Sequence, residues 1–409
     1  MSAVAGGPRV LYVCHTFPWV TQSFTVREVA LLRENGLDVE VLAFHRPGDL
    51  MDAQAEALLP IAHFVPPLSS AAFIRPVLKA AAARPFAFIR LLAVGLGSSY
   101  RVKTTFAGRA RGVLDVLRGA YAAGAFRGAR HFHAEFADNA CTAAMAAAEL
   151  TGKGFSFKSH SSFNPQALDR KARCAAFIAL ENEFDAGFFF ADVQPRSKLF
   201  LNRGGVARDT APSTHDESGG PLRLLCIGTL QEKKGQRVLI EALRLLAGRG
   251  VPFECTIVGS GPLEEDLREA IAAGVLTGAV ELVAYRPHAQ ILALYAQHDV
   301  FVLPCVVAAN QDRDGLPNVL IEAAAAGCVV VSTPVSGIQE LVQHGRSGLI
   351  VPERDAPALA DAVESLAVDA SLRERLRQGA FEILRERFDL ERNARELARK
   401  FEEVSAARA

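Results

Sequence analysis

The run DRDGLPNVLIEAAAAG, residues 312–327, holds three carboxylates and an amide able to do chemistry in a largely apolar stretch: Asp312, Asp314, Asn318 and Glu322. Pro317 suits the first turn of a helix, where its missing N–H is not needed. From Leu316 to Gly327 apolar side chains occupy nearly every face, so the helix is expected to be enclosed. An enclosed carboxylate is costly unless groups donate hydrogen bonds to it. The two hydroxyls of a ribose suit Glu322, because a carboxylate accepts from both at once. A core Arg or Lys would serve as well, and on these residues alone both readings stand. Asp314 precedes the helix, where the backbone of Gly315, Leu316, Pro317, Asn318 and Val319 is placed to meet a phosphate or a sugar hydroxyl. Its alternative role is to complement the helix dipole. Asp312 and Asp314 also form a DxD, as in manganese-binding motifs, but a solvated turn explains Asp312.

Other stretches add polar groups. In GTLQEKKGQRVLIEAL, residues 228–243, a strand gives way to a turn with Gly228, Thr229, Lys233 and Lys234 and then to a helix. Lys234 is positioned to reach a diphosphate and offset charge that grows as a sugar–phosphate bond breaks; two solvated lysines are the alternative. In IVGSGPLEEDLREA the glycines of Gly259, Ser260 and Gly261 allow close backbone approach to a ligand. HFHAEFADNA places His131, His133 and Glu135 on one face of a strand by alternation, where polar groups are expected to line a cleft. Zinc is disfavoured, since alternate strand positions provide no fourth ligand. His160 ends the strand-like FSFKSH and reads as a satisfied structural histidine.

These residues need elements to position them. Short apolar runs alternate with amphipathic helical patterns, as in RVLYVCHTF, SFTVREVALLRENG and LDVEVLAF, which predicts parallel sheets covered on both faces. The predicted class is α/β, with two Rossmann-like domains. The expected boundaries are 1–205 for a first domain, 206–221 for a Gly/Ser/Thr/Pro-rich linker and 222–386 for a second. A final helix, 387–409, is expected to be structural and to pack back on the first domain. Ligands are expected beyond the strands' carboxyl ends, where the two halves face each other.

Composition narrows the classes. Of 409 residues, 50% are hydrophobic and 22% charged, with a formal net charge of zero. The seven cysteines form no CxxC, which fits reduced core thiols in a cytoplasmic protein. The N-terminus shows no apolar signal core, and PFAFIRLLAVGLG is too short to span a bilayer. Residues 71–132 carry eleven Lys or Arg against one acid, Asp115, which points to phosphates or an anionic membrane surface. Few aromatics interleave with that charge, so nucleic acid is excluded.

DRDGLPNVLIEAAAAG, followed by VVVSTPVSGIQELVQHGRSGLIVP, resembles the donor-binding half of glycosyltransferase family 4, retaining enzymes of the GT-B fold. The opening HTFPWVTQSFTVREVALL is similar to members that build exopolysaccharides of the colanic-acid type. The resemblance is strong over 222–355 and weak over 66–128, where the acceptor is expected. The family's Glu, seven residues, Glu signature reads here as Asp314, seven residues, Glu322. The resemblance implies that Asp314 contacts sugar hydroxyls, that Glu322 holds the ribose and that Lys234 lies at the diphosphate. It also implies that Gly259, Ser260 and Gly261 border the nucleotide, that Tyr285 and Arg286 lie by the base, and that His133 lies near the transferred sugar. Thr229 stands where the family has Arg, so Lys233, Arg286 or a backbone amide is left to compensate. Ser23 or Thr25 is expected to present a helix N-terminus to the phosphates.

The implied function is retaining transfer of a hexose from a UDP- or GDP-sugar to a saccharide or lipid-linked saccharide, without a metal. The setting is cytoplasmic or peripheral on the inner face of the cell membrane. A nucleotide-sugar epimerase of the same fold and a non-catalytic sugar-nucleotide binding protein are the rival readings.

Overall fold

The computed structural model describes residues 9–18, 23–46, 53–97, 106–160, 168–207, 220–286 and 288–407. Two compact units emerge. The first takes Met1–Asn202 together with Glu391–Ala409, and the second takes Arg203–Leu390. Of the stretch read as a linker, residues 208–219 lie outside the described ones.

The strands of the first unit are β1 (Arg9–Thr16), β2 (Asp38–His45), β3 (Ala62–Phe64), β4 (His131–Ala134), β5 (Gly154–Ser159), β6 (Phe177–Leu180) and β7 (Leu199–Leu201). They form one parallel sheet in the order β3-β2-β1-β4-β5-β6-β7. Its helices are α1 (Ser23–Glu34), α2 (Ala53–Ala57), α3 (Ala71–Ala83), α4 (Pro85–Gly97), α5 (Phe106–Ala125), α6 (Asn139–Thr151), α7 (Leu168–Cys174) and α8 (Glu183–Phe188). Helices cover both faces, so the central strands are largely apolar; Val10, Leu11, Tyr12 and Val13 are all fully buried. Two cores result, one on each face of the sheet.

The second unit repeats the plan with β8 (Leu222–Ile227), β9 (Phe253–Val258), β10 (Val280–Val283), β11 (Val300–Leu303), β12 (Val329–Ser332) and β13 (Leu349–Ile350). Their order is β10-β9-β8-β11-β12-β13, again with parallel pairing. Helices α9 (Gln236–Gly248), α10 (Glu264–Ala272), α11 (His288–Gln297), α12 (Asn318–Ala325), α13 (Ala356–Val368) and α14 (Ala370–Arg387) enclose it. Asp355 and Asp369 accept from backbone N–H groups three residues on, which starts α13 and α14.

The chain then re-enters the first unit as α15 (Leu390–Ala406), whose buried stripe includes Leu397, Ala398 and Phe401. Phe401 lies edge-on to Tyr12, His131, His133 and Phe177, with ring centroids 5.2–6.1 Å apart. Register explains the meeting: Tyr12, His133, Ser156 and Phe177 stand opposite one another on β1, β4, β5 and β6. They therefore share one face of the sheet, and α15 closes it.

Candidate functional site

The polar groups of the second unit gather where β8, β9 and β11 end. After β8 the chain makes a tight turn through Glu232–Lys234 into Gly235, whose φ of 71° is left-handed and which starts α9. A Cβ at Gly235 would meet the carbonyl oxygen of Pro304 at 1.8 Å, so only glycine fits there. The turn throws the Lys234 stem across Gly228 and brings its Nζ to Asp314 Oδ2 at 2.8 Å. Lys233 Nζ reaches Asp312 at 3.2 Å and Asp314 Oδ1 at 3.7 Å. Burial opposes the charge on Lys234, yet Asp314 outweighs it and raises the lysine pKa. Burial likewise opposes the Asp314 carboxylate, while Lys234 and Lys233 hold its pKa below the usual value. Asp314 also accepts from Cys305 Sγ at 3.6 Å.

The two residues expected to act on the sugar and the diphosphate are thus brought together as a half-buried ion pair. Lys233 supplies the second positive charge beside Asp314, whereas Thr229 and Arg286 are exposed. Asp312 corrects one expectation, being paired with Lys233 rather than simply solvated.

Gly315, Leu316 and Pro317 are buried, while Asn318 and Val319 are half-buried at the start of α12. Pro317 occupies the position before the first helical residue and has no side-chain acceptor, so no side chain of that residue caps the helix. Leu320, Ile321, Ala323, Ala324 and Ala325 are buried around Glu322, itself 7% exposed. Tyr295 donates its hydroxyl to Glu322 Oε2 at 3.3 Å, and His288 Nε2 lies 3.1 Å from Oε1. Burial and then Glu322 raise the pKa of Tyr285, which places that phenol in the carboxylate's field.

Sequence reasoning set the run 285–288 by the base through its backbone and missed both the His288 side chain on Glu322 and Tyr295. Their signal was present: a spacing of seven puts them on one face of α11.

The glycines after β9 have a packing reason within the chain. A Cβ at Gly259 would lie 2.0 Å from the Gly228 carbonyl oxygen, and one at Gly261 would lie 2.6 Å from that of Leu230. Gly228 and Leu230 donate their N–H groups to Val258 and Ser260 at 3.0 Å each. What these glycines admit is the adjacent turn; Ser260 between them is exposed.

In the first unit the expectation of a cleft lined by His131, His133 and Glu135 is corrected. His131 and His133 are fully buried, and both ring systems reach the Ser156 hydroxyl at 2.7 Å. Phe177 stacks beside them and Phe401 covers them. One hydroxyl meets a nitrogen of each ring, and a helix from the far end of the chain closes this face of the strand. His133 is therefore a core residue, its pKa pushed well down by burial and then by the neighbouring cations.

Beyond that row lies a buried charged network. Lys158 Nζ binds Glu28 at 2.6 Å and faces Glu181 at 3.8 Å, and Tyr12 donates to Glu28 at 3.0 Å. His160 sits between Glu135 at 3.0 Å and Glu181 at 2.9 Å, with Phe24 and Phe136 against its ring. Ligand atoms of Glu28, His133 and Glu135 lie within 4.8 Å of one another; the Lys158 ammonium on Glu28 already supplies positive charge there. Thr25 is buried in α1, and the Ser23 side chain lies outside the described ones. All seven cysteines are unpaired thiols, and only Cys174 is exposed.

Residues 221–369 match the family model of glycosyl transferases group 1. The chain is similar to the amylovoran biosynthesis glycosyltransferase AmsK of Erwinia amylovora, at 43% identity over 167 residues. It is similar, at 42% over 169 residues, to the putative colanic acid biosynthesis glycosyltransferase WcaL of Salmonella typhimurium. Each match covers 41% of this chain and 41% of the relative, so the chain matches about two-fifths of the length of these curated relatives. The crystal structure of Anabaena Alr3699/HepE in complex with UDP and glucose has a TM-score of 0.68 at 14% identity, covering 97% of this chain and 99% of that one. The expected fold, two parallel-sheet Rossmann-like domains as in GT-B glycosyltransferases, is borne out.

Proposed function

We propose that this chain, whose second unit carries a glycosyltransferase group 1 domain, is a retaining glycosyltransferase of surface or exopolysaccharide biosynthesis. It moves a hexose from a UDP- or GDP-sugar to a saccharide or lipid-linked saccharide. The carrying observation is the pair of carboxylates at α12, the half-buried Asp314 held by Lys234 at 2.8 Å and the buried Glu322 two turns on, within the segment that the family model matches. The relatives' names support a role in polysaccharide assembly, and the UDP and glucose bound to the Anabaena protein support the donor class.

In this reading Glu322 accepts from the ribose hydroxyls, with Tyr295 and His288 fixing its orientation. Lys234 turns toward the diphosphate and stabilises it as the anomeric bond breaks, in a transition state of oxocarbenium character. Asp314, relieved of part of that lysine, accepts from sugar hydroxyls. Retention follows from a front-face path in which the departing phosphate oxygen takes the acceptor's proton. Lysines occupy the carboxylates of the DxD, which supports a reaction run without a metal. His133 takes no part, being closed off beneath Phe401.

A panel of UDP- and GDP-sugars, scored by rise in melting temperature, tests the donor. One donor class is expected to stabilise the wild type and not Glu322→Ala. Transfer from that donor to a saccharide acceptor, with the product's anomeric configuration read by NMR, tests the reaction. No stabilisation by any donor, or inversion at the anomeric carbon, would refute it.

A further inference from the structure

Among the described residues, large apolar side chains are left exposed at eleven positions, and six of these fall between Leu68 and Leu96. The concentration follows from how α3 and α4 are built. In α4, Leu91 is fully buried and Gly95 faces the α5 backbone, where an added Cβ would meet the Gly112 carbonyl oxygen at 2.8 Å. Those two positions mark the docked face. On the opposite face, Phe86, Ile89 and Leu96 stand at helical spacing, with Phe86 87% and Ile89 64% exposed. In α3, Phe73, Val77 and Ala80 are buried, while Ile74 and Leu78 point outward, Leu78 at 62% exposure.

A helix apolar all round is normally enclosed; α4 is apolar all round except for Arg90 and is covered on one side only. Cations adjoin the uncovered stripes: Arg75 and Lys79 on α3 are exposed, as are Arg84 between the helices, which donates to the Glu149 carbonyl, and Arg90 on α4, which is ion-paired with the Glu149 carboxylate. From residue 71 to residue 114 the sequence contains no acid. No helix among the described residues is long and apolar enough to cross a membrane. At 13 residues, α4 has the length for lying in an interface rather than spanning it.

We infer that the outer faces of α3 and α4 dock the protein on an anionic phospholipid bilayer. Phe86, Ile89 and Leu78 enter the headgroup–acyl boundary, and Arg75 and Lys79 pair with lipid phosphates. Apolar insertion with flanking cations is the pattern of interfacial helices, and the cations have their complement in an anionic bilayer. The surface deepens the transferase reading, since it would set the enzyme where a lipid-linked acceptor is held. Its test uses no donor or acceptor, so the two ideas fail separately.

The full chain is sedimented with vesicles of phosphatidylglycerol and phosphatidylcholine, or of phosphatidylcholine alone, at low and high salt. Wild type is expected to partition about tenfold more strongly onto the anionic vesicles, with part of that gain lost at high salt. The double variant Phe86→Ser with Ile89→Ser, which changes only exposed positions, is expected to partition about tenfold less at either salt. Arg75→Glu with Lys79→Glu is expected to bind about tenfold more weakly and to lose most of the salt dependence. Circular dichroism checks that each variant is folded. Failure of wild type to bind anionic vesicles, or folded variants that bind as wild type does, would overturn the inference. So would a dimer, seen by size exclusion, that the serine variant abolishes while vesicle binding is absent, because the surface would then serve a second copy of the chain.

Discussion

At the scale of single residues, the buried charges of the first unit make a pH prediction. Burial opposes protonation of His160, but Glu181 and Glu135 outweigh it and lift the imidazole from 6.5 to about 9. The folded state therefore holds a proton that the unfolded chain releases. This stabilisation is complete below about pH 6.5 and is lost as pH rises through about 9. At about 1.4 kcal/mol per pKa unit, the loss is on the order of 3 kcal/mol. Glu135, raised by burial and then by Glu28, contributes with the same sign. Urea denaturation of wild type across this range is expected to show the decline, and His160→Gln to lack its alkaline part. A wild-type stability that is level between neutral pH and the alkaline limit would contradict the ion pairs. The same residue shows how far sequence went: its place at a strand's end and its structural character were legible. The two carboxylates that satisfy it were not, because Glu135 and Glu181 reach it from different strands.

At the scale of elements, alternation of apolar runs and amphipathic stretches was enough to foresee the strands, since residues buried on both sheet faces must be apolar. It misjudged β4 because it treated polar alternation as a sign of an open face. His131 and His133 instead share Ser156 and lie under α15, a helix more than 250 residues later in the sequence; no local pattern carries that. Phe401→Ala is therefore expected to cost about 3–5 kcal/mol in denaturant unfolding, as for a fully buried aromatic. A loss below about 1 kcal/mol would mean α15 is not integral to that core. The turn after β9 makes an independent case. Gly259→Ala places a methyl against the Gly228 carbonyl, so the two turns must separate. The expected result is about 1–3 kcal/mol of destabilisation and weaker donor stabilisation, because the turn after β8 carries Lys234. Unchanged donor binding in a destabilised protein would show that Lys234 is positioned independently of this packing.

At the scale of the whole molecule, the polar stretch between the two strand series and the change of series at Leu222 were legible as a division of the chain. The return of the last helix to the first unit rests on the Phe401 contacts and therefore on tertiary structure. Each unit has cores of its own, on both faces of the first sheet and as one continuous cluster around the second. Separate cores make separate cooperative transitions the expected behaviour. In differential scanning calorimetry, Phe401→Ala should lower one transition and leave the other in place, since α15 belongs to the first unit although it follows the second in sequence. A stabilising nucleotide-sugar should raise the other transition, by about 2.7 kcal/mol when its concentration is about 100 times its dissociation constant. Donor and Phe401 variant would then act on different peaks. A single peak that both perturbations move would show instead that the two units unfold as one body, and binding at α12 would have to be coupled to the helix that covers Tyr12 and His133.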